Sequence, residues 1–359
     1  MHLIISLTAI FGYLFTKIYN NFNRDLSSKQ YIIFTIILIL IVGLRGVGVD
    51  NDYSTYESSI YNNLSIGEPT FLLITFIIRT LGLPNYTLFL VYAAIGISLK
   101  MRIIYKYSYL PIISFIIYLS NIIMLQDINQ IRAGVATALF LTSIPYLVQN
   151  KKKIFTYIIL LATLFHFSSF LLLVLLFIDA TPLSKNKYIF WGILPLLGYI
   201  FYFAFNFINV EHIPIAPVRE KLIMYKTLQE MGSEGFSNIN LFNPYFVFKL
   251  LIYYLLFHFY VSLRHKDERI TLYLKIFAIS LCIFPTLGAI TPILGYRSSD
   301  LFGSIEILLF PYLFILFKGK RIKGLCTACY FILLFSINLF YNYFVITQHK
   351  FFMHIYIFE

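Results

Sequence analysis

Long apolar runs recur along the whole chain, and they constrain its fold more than any other feature of the sequence. Runs of about 18–25 residues are long enough for an α-helix to cross a hydrocarbon layer of roughly 30 Å. Hydrophobic residues make up 59% of the 359 positions and charged residues only 12%, whereas an ordinary soluble domain is about 25% charged. A single soluble core could not bury this much apolar surface. The sequence therefore predicts an all-α polytopic integral membrane protein.

Twelve apolar segments can be delimited, which predicts about 10–12 transmembrane or re-entrant helices in one integral membrane domain, residues 1–359. The first run, Leu3–Phe15, has no small-residue cleavage site after it, so we expect a retained helix and not a signal peptide. Polar stretches at about 46–69 and 209–243 are expected to form two periplasmic loops. The segments lie near residues 2–18, 30–45, 70–82, 86–100, 107–125, 132–148, 154–178, 188–208, 245–263, 270–290, 301–317 and 324–345.

The basic residues between these segments predict the orientation of the chain, because short cytoplasmic loops carry an excess of Lys and Arg. The net charge of +12 is therefore a topology signal and not a nucleic-acid footprint. With the basic loop near residues 17–29 inside, both long polar stretches lie outside. If every segment crosses, the basic loops Lys100–Lys106 and Lys151–Lys153 fall outside. Both return inside if segments 70–82 and 188–208 re-enter, and this is the version that we favour.

Ionisable side chains at membrane depth are the informative ones, because each costs roughly 2.5–3.5 kcal/mol at mid-bilayer unless it faces a partner or a wet cavity. The first such cluster follows segment 30–45, at its predicted outer end. Either its side chains close over a cavity mouth, or they form an ordinary solvated loop with a snorkelling arginine. The cluster contains Arg45, Asp50, Asp52, Tyr53 and Tyr56.

Two further clusters adjoin later segments. Arg79 lies within segment 70–82 and Glu68 just before it, so the arginine either binds an anionic ligand or pairs with Glu68 and only fixes the packing. Five of the seven side chains from Gln126 to Arg132, including Gln130, are polar. Packing alone explains such a group poorly, and a substrate site is favoured there.

Three more features complete the candidates. His166 lies mid-segment and is either a structural hydrogen-bonding residue or a proton acceptor, a role suited to histidine near neutral pH. Arg297 and Asp300 share a helix face and form either a self-contained ion pair or part of a site. Val218–Met231, which contains Arg219, has the pattern of an amphipathic helix, either at a membrane surface or in a solvated loop.

The predicted outer half of the protein thus gathers arginines, a few carboxylates and one histidine. Guanidinium groups match phosphate geometry, and a diphosphate carries several negative charges. We therefore expect a lipid diphosphate as the ligand, which is a ligand class and not yet a reaction. The few carboxylates form no dense cation cage, and the C-x-x-C of Cys326 and Cys329 lies in an apolar segment without zinc or redox context. Neither metal nor cofactor is expected.

These same residues resemble the signatures of the Wzy/EpsG-type polysaccharide polymerases. The stretch Leu44–Glu57, followed by Glu68, resembles the opening Leu-Arg, Gly-x-Asp, Tyr and Glu pattern of that family. Ile131–Ala136 resembles its Ile-Arg-Gln-Gly helix start, with Ala133 where the family often has Gln. Phe165–Ser169 resembles its His-x-Ser helix, and Arg297 fits its late arginine.

The resemblance implies a GT-C-like glycosyltransferase architecture in the bacterial inner membrane, with the active site facing the periplasm. It also implies an O-antigen or exopolysaccharide polymerase, which transfers a glycan from undecaprenyl diphosphate to the terminal sugar of another lipid-linked repeat unit. The expected partners are that undecaprenyl-diphosphate-linked oligosaccharide, membrane lipids and a chain-length regulator protein, with no nucleic acid.

On this hypothesis Arg45, Arg132 and Arg297 hold the diphosphates, with Arg79 and Arg219 in support. The general base is Asp50 or Asp52 first, and His166 or Asp300 next. The remaining expected substrate contacts are Tyr53, Tyr56, Glu68 and Gln130.

Two other functions stay open on the sequence. A lipid-linked oligosaccharide flippase or exporter would also need a basic cavity, although such transporters usually show two related halves, and none are detectable here. A membrane O-acyltransferase that modifies the polysaccharide would concentrate its polar residues nearer the cytoplasmic side.

Overall fold

The computed structural model describes residues 2–20, 25–50, 52–61, 67–205, 219–220, 223–224, 227, 230–231, 239–317 and 319–339. Every regular element within these ranges is a helix, which confirms the predicted all-α class. The chain divides into two compact units. The first unit comprises Met1–Tyr146, Lys151–Phe170 and Phe310–Glu359, and the second comprises Leu147–Asn150 and Leu171–Leu309.

The described helices follow one another with short connections. In chain order they are α1 His2–Asn20, α2 Ser28–Gly43, α3 Tyr53–Tyr61, α4 Pro69–Thr80, α5 Tyr86–Tyr107, α6 Pro111–Ile117, a π-helical segment Tyr118–Asn129, α7 Ile131–Val148, α8 Lys152–Phe165, a 3₁₀ helix Phe167–Phe177, α9 Lys185–Phe205, α10 Pro244–His258, α11 Tyr260–Arg264, α12 Ile270–Gly288, α13 Pro292–Gly303, α14 Glu306–Leu309, a 3₁₀ turn Phe310–Tyr312, α15 Leu313–Leu316 and α16 Lys320–Leu339.

Six helical stretches in the described part of the chain are long and apolar enough to cross a membrane. This finding confirms a multi-pass membrane protein. Several shorter apolar helices accompany them, among them α2, α4 and α10. The six stretches are Tyr86–Tyr107, Pro111–Asn129, Ile131–Val148, Lys185–Ala204, Ile270–Gly288 and Pro292–Leu316.

Local sequence signals explain where many of these helices begin. Ser27 and Gln30 form a capping box at the start of α2, where each side chain accepts a hydrogen bond from the backbone N–H of the other. Four helices, α4, α6, α10 and α13, carry proline in their first turn. The fixed φ of proline suits that position, and its missing N–H costs nothing there.

Both ends of α4 lie at the same end of the first unit. At its start, Glu68 contacts Arg132 at the beginning of α7. Beyond its end, Asn85 is hydrogen-bonded to Glu57 and Tyr61 of α3, the helix whose Tyr56 also lies beside Arg132. A 12-residue helix is only about 18 Å long, too short to cross the hydrocarbon layer alone. The structure thus supports re-entry of segment 70–82.

Segment 188–208 behaves differently from the prediction. It forms α9, one continuous helix of 21 residues with Pro195 inside it, about 31 Å long and sufficient to span. The interruption occurs instead in segment 154–178, where α8 ends at Phe165 and His166 is extended, with φ −154° and ψ 112°. The predicted re-entry of 188–208 is therefore replaced by a break at His166.

The central helix of the second unit is α12, which packs against α9 and α13. The missing side chain of Gly198 allows α9 to lie directly on the backbone of α12, because a Cβ there would be 2.7 Å from the carbonyl oxygen of Cys282. Similarly, Gly295 of α13 lies against Gly288 of α12. Small residues permit close helix contact where burial of apolar surface provides little driving force in lipid.

Candidate functional site

Three side chains from distant parts of the sequence meet in the first unit. Glu68 precedes α4, Arg132 lies in the first turn of α7, and His166 joins α8 to the 3₁₀ helix. An Arg132 Nη1 proton is donated to Glu68 Oε2, while Glu68 Oε1 lies 3.3 Å from His166 Nδ1. One carboxylate therefore holds both an arginine and a histidine, and we call these residues the Glu68 cluster.

The surroundings of the Glu68 cluster leave the arginine partly open. The Arg132 guanidinium lies 5.6 Å from the ring centre of Tyr56 and 5.2 Å from that of Phe71, within the range of cation–π attraction. Its side chain is 31% exposed, whereas that of Glu68 is 6% exposed. Glu68 is thus enclosed while Arg132 keeps a face that an anionic ligand could reach.

The charge state of Glu68 follows from its neighbours. Burial alone would raise the pKa of this carboxyl, but the hydrogen bond from His166 and the charge of Arg132 outweigh that effect and lower its pKa to about 2. Glu68 is therefore an anion at any physiological pH. With Nδ1 of His166 donating to this anion, Nε2 becomes the ring nitrogen that accepts a proton, as in the aspartate–histidine pairs of hydrolases.

Arg79 is not the partner of Glu68, contrary to one reading of the sequence. It lies in the last turn of α4 and is exposed, eleven residues from Glu68 and therefore about 16 Å away along the helix axis. The ion pair with Arg132 takes its place.

The predicted Arg45 cluster is a buried structural unit, not a solvated loop. Arg45 Nε donates to Asp50 Oδ2 at 2.7 Å, and Nη1 donates to the carbonyl oxygen of Val42 at 2.9 Å. Its Nη2 donates to the carbonyl oxygen of Ile128. Asp50 Oδ1 also accepts the backbone N–H of Asp52 at 3.0 Å. Both side chains of the pair are almost fully enclosed, at 1% and 2% exposure.

Burial raises the pKa of Asp50, against the opposing charge of Arg45. The carboxylate nevertheless spends its hydrogen-bonding capacity on Arg45 and on the start of α3, so it is poorly placed to take a proton from a sugar. Asp52 is half-buried beside it. The geometry favours a positioning role for Arg45 and Asp50.

Replacing Asp50 with alanine should therefore reduce stability. Removing one partner of a buried ion pair leaves an uncompensated charge and typically costs about 3–5 kcal/mol. We expect a clearly lower melting temperature for Asp50→Ala in detergent, measured by intrinsic fluorescence. Ser54→Ala, at an exposed position of α3, is the control and should melt like the parent. Equal melting temperatures for both variants would contradict the structural role of the pair.

Much of the polar stretch Gln126–Arg132 is explained by packing, which corrects the site interpretation for part of it. Asp127 binds Lys100 and the hydroxyl of Tyr118, and Gln126 accepts a hydrogen bond from Thr137 at 2.7 Å. Lys100, expected in a basic loop, is fully buried in α5. Gln130 is half-buried in the link between the π-helical segment and α7, and Arg132 remains as the exposed charge of this stretch.

The second unit holds the late candidates. Arg297 and Asp300 are both half-buried on α13, and Asp300 lies close enough to Lys249 and Glu306 to interact electrostatically. Lys249 Nζ is 3.4 Å from Glu306 Oε2 and 4.5 Å from the ring centre of Tyr245. The sequence analysis did not single out Lys249, although one lysine inside the apolar run of α10 was a usable signal.

The other predicted residues divide between contact and absence. Tyr53 stacks on Phe89 with ring centres 4.4 Å apart, and the guanidinium of Arg45 lies 4.4 Å from the same ring. Arg219 is half-buried in a helical turn. Most of the predicted amphipathic helix Val218–Met231, including its apolar positions 222, 225 and 228, lies outside the described residues.

No three His, Cys, Asp or Glu side chains approach closely enough to hold a metal ion within the described ranges. A metal-independent site stays a prediction.

A multi-pass helical membrane protein with a half-open arginine beside an ionised glutamate and a histidine is the class defined by fold and site. Residues 28–358 match the model of the EpsG family, so the chain belongs to the EpsG family. It is also 25% identical over 332 residues to the amylovoran biosynthesis protein AmsC of Erwinia amylovora, covering 87% of this chain and 84% of that relative. No solved structure matches significantly. The predicted membership of the EpsG/Wzy-type polysaccharide polymerases is confirmed.

Proposed function

We propose that this polysaccharide polymerase is a glycosyltransferase acting on lipid-linked repeat units. It transfers a growing glycan from undecaprenyl diphosphate to the terminal sugar of another lipid-linked unit, at the outer face of the bacterial inner membrane. The observation that carries the proposal is the Glu68 cluster, in which a half-open arginine and a histidine share one buried carboxylate. Such a group suits a reaction that needs both an anion site and a proton acceptor.

The chemistry assigns one role to each member of the Glu68 cluster. An acceptor hydroxyl oxygen attacks the anomeric carbon of the donor glycan, and the bond from that carbon to the diphosphate oxygen breaks. Nε2 of His166 takes the hydroxyl proton, and undecaprenyl diphosphate leaves with the bonding electron pair. Arg132 stabilises the charge that develops on the diphosphate, usually the larger contribution to catalysis. Glu68 orients the imidazole and balances its positive charge.

The remaining candidates take secondary roles in this proposal. Arg45 and Asp50 fix the start of α3 and the end of the π-helical segment. Arg297 is the proposed diphosphate contact of the second unit, and Asp300 is an alternative proton acceptor there. Arginines can neutralise a lipid diphosphate without a metal, so a metal-independent reaction is proposed.

Orientation is proposed from the basic residues at the helix ends. In the first unit, α5 ends near Lys106 and α8 begins after Lys151, at the helix ends opposite to Arg132. In the second unit, the N–H of Leu183 donates to the hydroxyl of Tyr260 at 3.1 Å, next to the basic stretch that begins at Arg264. The excess of positive charge inside then puts the Glu68 cluster outside and the start of α9 inside.

Cysteine labelling tests this topology in a background without Cys282, Cys326 and Cys329. Leu83→Cys, just after α4, is expected to react with a membrane-impermeant maleimide on spheroplasts. Ser184→Cys, at an exposed position, is expected to react only after permeabilisation. The first result would show that α4 does not cross, and the opposite pattern at either position would overturn the proposed orientation of that unit.

The reaction is tested with purified protein and lipid-linked repeat units extracted from a host strain lacking the polymerase. A ladder of longer lipid-linked glycans, together with released undecaprenyl diphosphate, is expected from the parent chain. Translocation of unchanged units by well-folded protein, without a ladder, would favour the exporter alternative and overturn the polymerisation proposal.

A further inference from the structure

We propose that the buried pair Lys100–Asp127 acts as a positioning clamp for Arg132, so that Lys100 and Asp127 are positioning residues for polymerisation. This inference rests on the proposed function of Arg132. The pair lies outside the Glu68 cluster, and the reaction steps described above make no use of it.

The clamp is a fully satisfied ionic group. Lys100 Nζ donates to both carboxylate oxygens of Asp127, each at 2.8 Å. The Tyr118 hydroxyl donates to Asp127 Oδ2, also at 2.8 Å. Lys100 is 0% exposed and Asp127 is 3% exposed. Burying two charges is costly unless geometry and hydrogen bonding are this complete, and so the pair holds a specific arrangement of α5 against the π-helical segment.

Two glycines make the space that the carboxylate fills. A Cβ at Gly96 of α5 would lie 2.9 Å from Asp127 Oδ1, and one at Gly134 of α7 would lie 3.0 Å from the same atom. A Cβ at Gly134 would also lie 2.7 Å from the carbonyl oxygen of Gln126. The carboxylate is thus enclosed between α5 and α7, and this contact gives a physical reason for the glycine in the Arg-Ala-Gly sequence.

The clamp holds the chain on both sides of Arg132. Asp127 comes five residues before it and Gly134 two residues after it. Between them the π-helical segment ends at Asn129 and α7 begins at Ile131, so Gln130 is the one residue outside either helix. π-Helical geometry is rare and often accompanies functional sites. With both flanks anchored to one carboxylate, the first turn of α7 has little freedom to move Arg132 relative to Glu68.

The test compares a clamp-free variant with the parent in the ladder assay. Lys100→Met, Asp127→Leu and Tyr118→Phe together remove the charges and the hydroxyl, a replacement that buried ion pairs often tolerate in stability. We expect kcat to fall by about 10-fold to 100-fold, the effect of misplacing a catalytic group by about 1 Å. In an Arg132→Ala background the same triple change should lower the residual rate by less than about 3-fold, because the clamp acts through Arg132.

Two matched variants separate positioning from stability. Lys100→Gln with Asp127→Asn keeps a hydrogen-bonded pair and should recover most of the rate. Lys275→Met with Asp179→Asn removes another buried lysine–aspartate pair, whose Nζ–Oδ1 distance is 2.8 Å, in the second unit. It should lower the melting temperature and leave kcat near the parent value.

Hydrogen exchange of the amides of residues 131–135 gives a readout that does not depend on activity. We expect faster exchange there in the folded clamp-free variant and no change in the Lys275→Met, Asp179→Asn variant. If the parent makes no ladder but this exchange pattern holds, the proposed function fails while the clamp stands. Unchanged exchange, or equal falls in rate with and without Arg132, would overturn the clamp.

Discussion

Arg132→Ala is expected to lower the rate of polymerisation by about 10²–10³-fold, the usual cost of removing one donor that stabilises developing negative charge. The guanidinium is the open part of the Glu68 cluster, with 31% of its side chain exposed, and it is held by the 6% exposed Glu68. The ladder assay with extracted lipid-linked units measures the effect. Arg132→Lys should recover part of the rate, because lysine restores the charge but not the planar two-point contact with phosphate.

Arg102→Ala is the matched control for this prediction. Arg102 is exposed on α5, close to the basic end of that helix and away from the Glu68 cluster, and its loss should leave the rate unchanged. Arg132→Ala also leaves Glu68 without its cation, so the melting temperature of each variant must be compared. A full-length ladder from folded Arg132→Ala protein would refute the role of Arg132 in holding diphosphate.

His166→Ala is expected to lower the rate by about 10²–10⁴-fold, the contribution typical of a general base. Glu68→Gln should have a smaller effect on the rate and a distinctive effect on its pH dependence. A carboxylate beside an imidazole favours the protonated ring, and only the neutral ring accepts a proton. The acidic midpoint of the pH–rate profile should therefore move to lower pH in Glu68→Gln.

The ionisation of Glu68 itself should not shape that profile. Its folded pKa is about 2, below the ordinary value of 4.5, so its contribution to stability is fully present above about pH 4.5 and is lost as the pH falls towards 2. Any midpoint observed between pH 5 and 8 must come from another group.

His258→Ala is the control for the histidine, since His258 is exposed on α10 and belongs to no proposed contact. It should keep the parent rate and the parent pH profile. A parent-like rate from folded His166→Ala protein would exclude His166 as the base and return that role to Asp52 or Asp300.

The sequence was sufficient for the class of protein and for several residues of the site. Apolar segments of membrane length predict spanning helices whatever their neighbours are, because the bilayer itself imposes helices with internally satisfied backbones. Arg132 and His166 were recognisable because a polar side chain between or within apolar segments carries a cost that calls for a partner. The resemblance to the EpsG/Wzy-type polymerases drew attention to the same positions.

Partner choice was decided only by the tertiary structure. Glu68 is paired with Arg132 and His166, 64 and 98 residues away, and not with Arg79 in the adjoining helix. Lys100 looked like a loop residue until the fold brought it to Asp127, and Asp50 looked like a base until Arg45 enclosed it.

The physical reason is the range of the forces involved. Hydrophobic periodicity and the cost of charge are local properties, which the order of residues already contains. An ion pair depends on which helices pack together and at which depth, and here that packing arises from contacts such as those of Gly96 and Gly134 with Asp127. The sequence alone therefore determined that a charged site exists among membrane helices, while the tertiary structure decided which charges meet.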